Sequence, residues 1–117
     1  MVSLFFQAVK QGEFTVVTSL LTLLEVLVVP LRMNDTQSVE KYYELLFEIK
    51  GINTVEISQE IIERAAQIRA VHPKVRTPDA IQVATAIEAK ASFFFTNDAR
   101  LPELPGMQVL VLDNLGS

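Results

Sequence analysis

The chain contains no cysteine. Disulfides, thiolate nucleophiles and cysteine zinc sites are therefore excluded, and a reducing, cytoplasmic setting is the simplest reading. It has a single histidine, His72, which argues against a histidine-built metal site or a Ser/His/Asp triad. Positive charge is also short. Ten bases against fourteen acids leave a net charge of −4. Both halves share the deficit: four bases and six acids up to Lys50, six and eight beyond it. Such a chain is no general nucleic-acid coat, although a nuclease pocket that holds metal must itself be acidic. No leader pattern of basic region, apolar stretch and small-residue cleavage site opens the sequence, so none is expected. Repeats, linkers and low-complexity segments are absent.

A clean membrane span is missing too. Phe14 to Leu31 approaches the minimum spanning length, but Glu25 lies near its middle and Pro30 near its end. A central carboxylate is costly in lipid. The opening Phe14-Thr15-Val16-Val17-Thr18 is rich in β-branched residues and reads as a strand.

What is present is a 117-residue chain, half hydrophobic, enough for one domain with a real core. Ser3 to Glu13 reads as a short helix and Phe14 to Thr18 as a strand. Ser19 or Thr18 caps a helix from Leu20 to about Met33, apolar almost all round and therefore expected to be buried. Gln37 to Lys50 is an amphipathic helix stopped by Gly51. Asn53 to Ile57 is a strand. Ser58 starts a helix over Gln59 to Val71, with Ile61, Ile62, Ala65, Ala66 and Ile68 at helical spacing. Thr77 is the expected cap of the next helix, with Pro78 at its first position, and the helix runs to about Lys90. Ser92 to Thr96 is an apolar, hence central, strand, and Met107 to Leu112 is the last. The alternation predicts an α/β fold: three α/β/α layers around a mostly parallel sheet of about four strands.

Three acids stand out against this frame. Glu25 interrupts an apolar run, Asp79 opens a helix, and Asp98 follows the aromatic strand Phe93-Phe94-Phe95. Ligands in such sheets gather at the carboxyl ends of strands, where these positions can converge. Clustered carboxylates suit Mg²⁺ or Mn²⁺, which prefer oxygen ligands. Each acid also has an ordinary role available. Asp79 suits a helix dipole, Asn97-Asp98 suits a turn, and a buried Glu25 can pair with an arginine such as Arg76 or Arg100. Asp113 is more often a turn residue than a fourth member. Tyr42, Tyr43 and Phe47 share a helix face, for the core or a dimer interface.

The segments Thr77-Pro78-Asp79-Ala80-Ile81-Gln82-Val83-Ala84-Thr85-Ala86, Phe95-Thr96-Asn97-Asp98 and Val109-Leu110-Val111-Leu112-Asp113 together resemble the second half of PIN domains. The nearest likeness is to the toxin ribonucleases of bacterial and archaeal toxin–antitoxin pairs (the VapC-like group). Ser19-Leu20-Leu21-Thr22-Leu23-Leu24-Glu25 is similar to the family's helix bearing its second acid. The resemblance implies metal-dependent RNA cleavage, with Asp79 and Asp98 as ligands of Mg²⁺ or Mn²⁺ and Glu25 as a ligand directly or through water. Thr96 and Asn97 would orient ligands or contact phosphate, and Lys74, Arg76 and Arg100 would bind the RNA backbone. An antitoxin protein and a second copy of the chain are the implied partners. The departure is at the N-terminus: the family's first strand, and the Asp that ends it, have no counterpart before Glu13. Low turnover is therefore expected. The competing readings are a non-catalytic interaction or dimerisation module of the same ancestry, and a small Mg²⁺-binding α/β regulatory domain. The last is disfavoured, because no acid pair follows the first strand.

Overall fold

The computed structural model describes residues 4–98 and 100–111, with side chains from Gln7 onward. Helix α1 (Leu4–Lys10) leads into strand β1 (Val16–Ser19), helices α2 (Leu20–Arg32) and α3 (Thr36–Phe47), and strand β2 (Ile52–Val55). Helices α4 (Gln59–Val71) and α5 (Thr77–Glu88) then precede strands β3 (Phe93–Thr96) and β4 (Gln108–Val111). The sheet order is β2-β1-β3-β4, and every pair is parallel.

Strand alternation sorts side chains onto two faces. Val16, Phe95 and Leu110 join Val9, Val26, Leu46 and Ile52 in one core cluster, beneath α1, α2 and α3. Their neighbours Val17, Phe94 and Val109 join Val83 and Ala86 of α5 in a second. A third cluster, Ile61 and Ala65 with Ala80 and Ala84, glues α4 to α5. The three-layer expectation holds, with a sheet that is wholly parallel.

Caps explain most boundaries. The Ser19 hydroxyl accepts from Leu21 N at 3.1 Å and starts α2. Asp35 accepts from Ser38 N at 3.1 Å and starts α3, and Ser58 accepts from Ile61 N at 3.2 Å and starts α4. At α5 the cap position is Arg76 rather than Thr77, and no side chain caps it. Pro78 has no N–H to satisfy, and the first helical bond, Ala80 N to Arg76 O at 2.9 Å, already places Thr77 inside the helix. The α3 helix stops at Phe47, three residues short of the expected Lys50, because the chain turns through Ile49–Gly51 with Gly51 at φ +93°. Leu112 and Asp113 lie outside the described residues.

One expectation fails outright. Helix α2 buries only Thr22, Val26 and Pro30, and Leu24, Val28, Val29, Leu31 and Met33 are exposed. A helix laid on one side of a sheet covers a single stripe of its surface; apolar residues on the outer side stay bare. Tyr42 packs against the core. Tyr43 and Phe47 remain exposed, their rings 5.9 Å apart. No helix among the described residues is long and apolar enough to cross a membrane.

The middle of the sheet is joined differently from its flanks. The outer pairs each register four positions, but β1 meets β3 at Val17↔Phe94 alone. A side chain helps close that seam: the Thr18 hydroxyl donates to the Phe95 carbonyl at 2.8 Å.

Candidate functional site

The site forms where β1 and β3 end and α5 begins. Ser19 passes directly into α2, which carries Glu25 under two turns further on. Thr96 ends β3, and its buried hydroxyl accepts from Asp98 N at 3.0 Å, which fixes the turn that presents Asp98. Asp79 occupies the first turn of α5, where the helix dipole favours a carboxylate. The topology thus gathers the three acids expected from sequence, and all three are only partly exposed.

Two guanidinium groups hold the aspartates. Arg76 Nε donates to Asp79 Oδ2 at 3.2 Å, and its Nη2 donates to Asp79 Oδ1 at 3.4 Å and to Asp98 Oδ2 at 3.3 Å. Arg100 grips Asp98 through Nε at 3.0 Å and Nη2 at 3.2 Å, and its backbone N–H adds a bond of 2.9 Å. These Arg100 contacts, with a smaller contribution from Arg76, hold the Asp98 carboxyl below its usual range. Glu25 moves the other way. Desolvation raises its pKa, and the charges of Asp98 and Asp79 add to the rise; a bond from Gln82 and the charge of Arg76 oppose it.

Gln82 is the residue that sequence reasoning passed over. It is 1% exposed, on α5 one turn after Asp79. Its amide nitrogen donates to Thr22 Oγ1 at 2.9 Å and, more weakly, to Glu25 Oε1 at 3.4 Å. Its oxygen accepts from Ser19 Oγ at 2.5 Å. Thr22 Oγ1 lies 2.8 Å from Thr18 Oγ1, and the chain of bonds ends on the Phe95 carbonyl. One polar string therefore ties β1, α2, α5 and β3 together beneath the acids. The signal available in sequence was a lone amide inside the apolar seam of α5.

Of the expected substrate contacts, Asn97 is exposed beside the acids, and Lys74 is exposed two residues before Arg76. Thr96 is fully buried. A cavity of about 350 Å³ opens next to Glu25, lined among others by Asp35, Ser38, Tyr42 and Asn97.

The donor chemistry, three carboxylates and no softer ligand, fits a hard divalent cation. The present spacing does not close on one: among the described residues no group of three His, Cys, Asp or Glu is near enough to hold a metal ion. Instead one guanidinium spans Asp79 and Asp98.

Opposite shifts predict opposite pH behaviour. Glu25 has a raised folded pKa, so its charge destabilises the fold above the normal glutamate range and the penalty vanishes in acid. Glu25→Gln should therefore raise the melting temperature at pH 7 without metal. Asp98 has a lowered folded pKa, so its stabilisation is present above the normal aspartate range and is lost as pH falls through the folded value. Asp98→Asn should lower the melting temperature at pH 7, and the effect should fade as pH falls below the normal aspartate range. Melts of both variants from pH 3 to 7 check this; parallel curves would contradict it.

Comparison with known proteins agrees with this layout. No curated protein matches the chain. A solved toxin–antitoxin complex from Klebsiella pneumoniae is similar, with TM-score 0.56 and 29% identity over 80% of this chain and 70% of that one. The family model for the PIN domain matches residues 5–107, a span that takes in β1, β2, β3 and all three acids, and the chain belongs to that family.

Proposed function

We propose that this chain is a metal-dependent endoribonuclease of the PIN type, acting as the toxin of a toxin–antitoxin pair. The observation that carries the reading is the convergence of Glu25, Asp79 and Asp98, from three separate elements, on the carboxyl end of a parallel sheet around one shared cation. Asp79 and Asp98 would hold Mg²⁺ or Mn²⁺, with Glu25 as the third oxygen ligand. When bound, the ion supplies a water of lowered pKa and offsets charge on the phosphate. Thr96 fixes the turn that aims Asp98, and Gln82 orients Glu25. Lys74, Asn97 and the arginines supply local contacts to an RNA backbone that the acidic chain as a whole repels.

The solved relative is a toxin–antitoxin complex, and an antitoxin protein is the partner proposed here. The exposed apolar face of α2, and the exposed Tyr43 and Phe47 of α3, suit burial against that partner or a second copy. Turnover is expected to be low, because a metal ion has to displace a guanidinium before it can hold Asp79 and Asp98.

Cleavage of a mixed RNA substrate with Mn²⁺ tests the reading. Slow cleavage that EDTA stops, and that Asp98→Asn reduces by about 100-fold or more, is the expected result. Cleavage indifferent to Asp98→Asn would overturn it. Silence would favour the second reading, a non-catalytic interaction module, which the arginine-held aspartates also suit.

A further inference from the structure

Arg76 holds an unusual place among the charges. Its own helix supplies Asp79, three residues on, while Asp98 comes from the turn after β3. One side chain donates to both. Asp98 has a second guanidinium in Arg100. Among the described residues Asp79 has hydrogen bonds from Arg76 only. The third acid, Glu25, feels the same positive charge through space. Among the described residues Arg76 is therefore the one cation that acts on all three acids. It is also loosely kept: its side chain is 54% exposed, against 22% and 19% for the two aspartates.

We propose that Arg76 is the built-in counter-cation of this acid cluster and competes with a divalent ion for Asp79 and Asp98, so that the metal enters as the guanidinium swings out. The inference rests on the reading of Glu25, Asp79 and Asp98 as metal ligands. Its physical basis is twofold. A divalent ion held by these carboxylates would share its ligands with the guanidinium, and like charges drawn to the same oxygens repel. Half-exposed ion pairs are weak, so the arginine yields readily to an ion of twice its charge. The same competition accounts for carboxylates of the right chemistry that do not close on a common point: a planar fork holds its acceptors wider apart than an ion that draws oxygens to about 2.1 Å.

Calorimetric titration of Mn²⁺ into the full chain at low ionic strength tests this without reference to activity. Arg76→Gln should bind Mn²⁺ about tenfold tighter than the unmodified chain. Arg64→Gln removes the same charge at the far end of α5, where Arg64 pairs with Glu88, and should change affinity less than twofold. In EDTA Arg76→Gln should melt below the unmodified chain, and saturating Mn²⁺ should close the gap. If the glutamine variant does not fold, Arg76→Lys serves: a point ammonium cannot bridge both aspartates as the fork does, and binding should tighten about threefold. Equal Mn²⁺ affinity in the unmodified chain and its Arg76 variants would overturn the competition and leave the metal reading standing. Absence of Mn²⁺ binding in every variant, or binding that Asp98→Asn leaves untouched, would overturn both.

Discussion

Replacing Gln82 by leucine should lower the unfolding free energy by about 3 kcal/mol and the melting temperature by about 10 °C. The substitution keeps the volume and the helix. What it removes is an amide whose oxygen accepts from Ser19 and whose nitrogen donates to Thr22 and Glu25. Gln82, Ser19 and Thr22 are each at most 1% exposed, so no water replaces the lost partners. Leaving a buried polar group unsatisfied costs about 1–3 kcal/mol each, and Ser19 and Thr22 both lose a partner. Glu25 also loses the bond that opposes its raised pKa, which pushes that carboxyl further toward its protonated form. Gln82→Glu separates polarity from charge. It should be as destabilising at pH 7, because a buried carboxylate then faces Glu25, and should recover toward pH 4 as that new group takes up a proton. Denaturant melts of the two variants at both pH values decide the matter. A cost below 1 kcal/mol for leucine would mean that the hydroxyls find other partners and that the polar string does not hold the elements together.

Gln82 also marks the limit of what the sequence disclosed. The bounds of α4, Gln59–Val71, were legible because a capping serine precedes an apolar pattern of helical period. The start of α2 was legible for the same reason. The parallel sheet followed from alternation of elements, and the placement of Asp79 and Asp98 from their positions at a helix start and a strand end. Pairings set by tertiary geometry were not legible. Spacing alone brings Arg76 to Asp79, an i,i+3 pair, but nothing local brings it to Asp98, which lies 22 positions away. A buried Glu25 was expected to find a metal or an arginine; its hydrogen bond in the fold comes from the amide of Gln82, because α5 turns Gln82 inward while Arg76 stays at the helix mouth. The outer face of α2 misled for a related reason: composition reports that residues are apolar, and only packing reports which of them find cover.

The other large effect lies at Gly51, where alanine should cost about 3 kcal/mol, against about 1 kcal/mol for alanine at Gly12. Both glycines adopt left-handed backbone, with φ +93° and +86°, a conformation that a side chain penalises by about 1–2 kcal/mol. Their surroundings differ. A Cβ at Gly12 would meet nothing within 4 Å, whereas one at Gly51 would lie 2.7 Å from the Val9 carbonyl oxygen and 2.8 Å from Val9 Cγ1. Val9, on α1, is wholly buried in the core, so neither atom has room to retreat. Gly51 also carries the carbonyl that accepts from Val16 N at 2.8 Å, the bond at the head of the β1–β2 ladder. Pushing Val9 away therefore strains the contact of α1 and the start of the strand whose other end leads to Glu25. Because the two substitutions share their backbone penalty, the difference between them isolates the close approach of α1 to the α3–β2 turn. Chemical denaturation of Gly51→Ala and Gly12→Ala measures that difference directly. Equal costs would mean that the helix shifts freely against the sheet edge, and that the tight contact at Gly51 contributes nothing to stability.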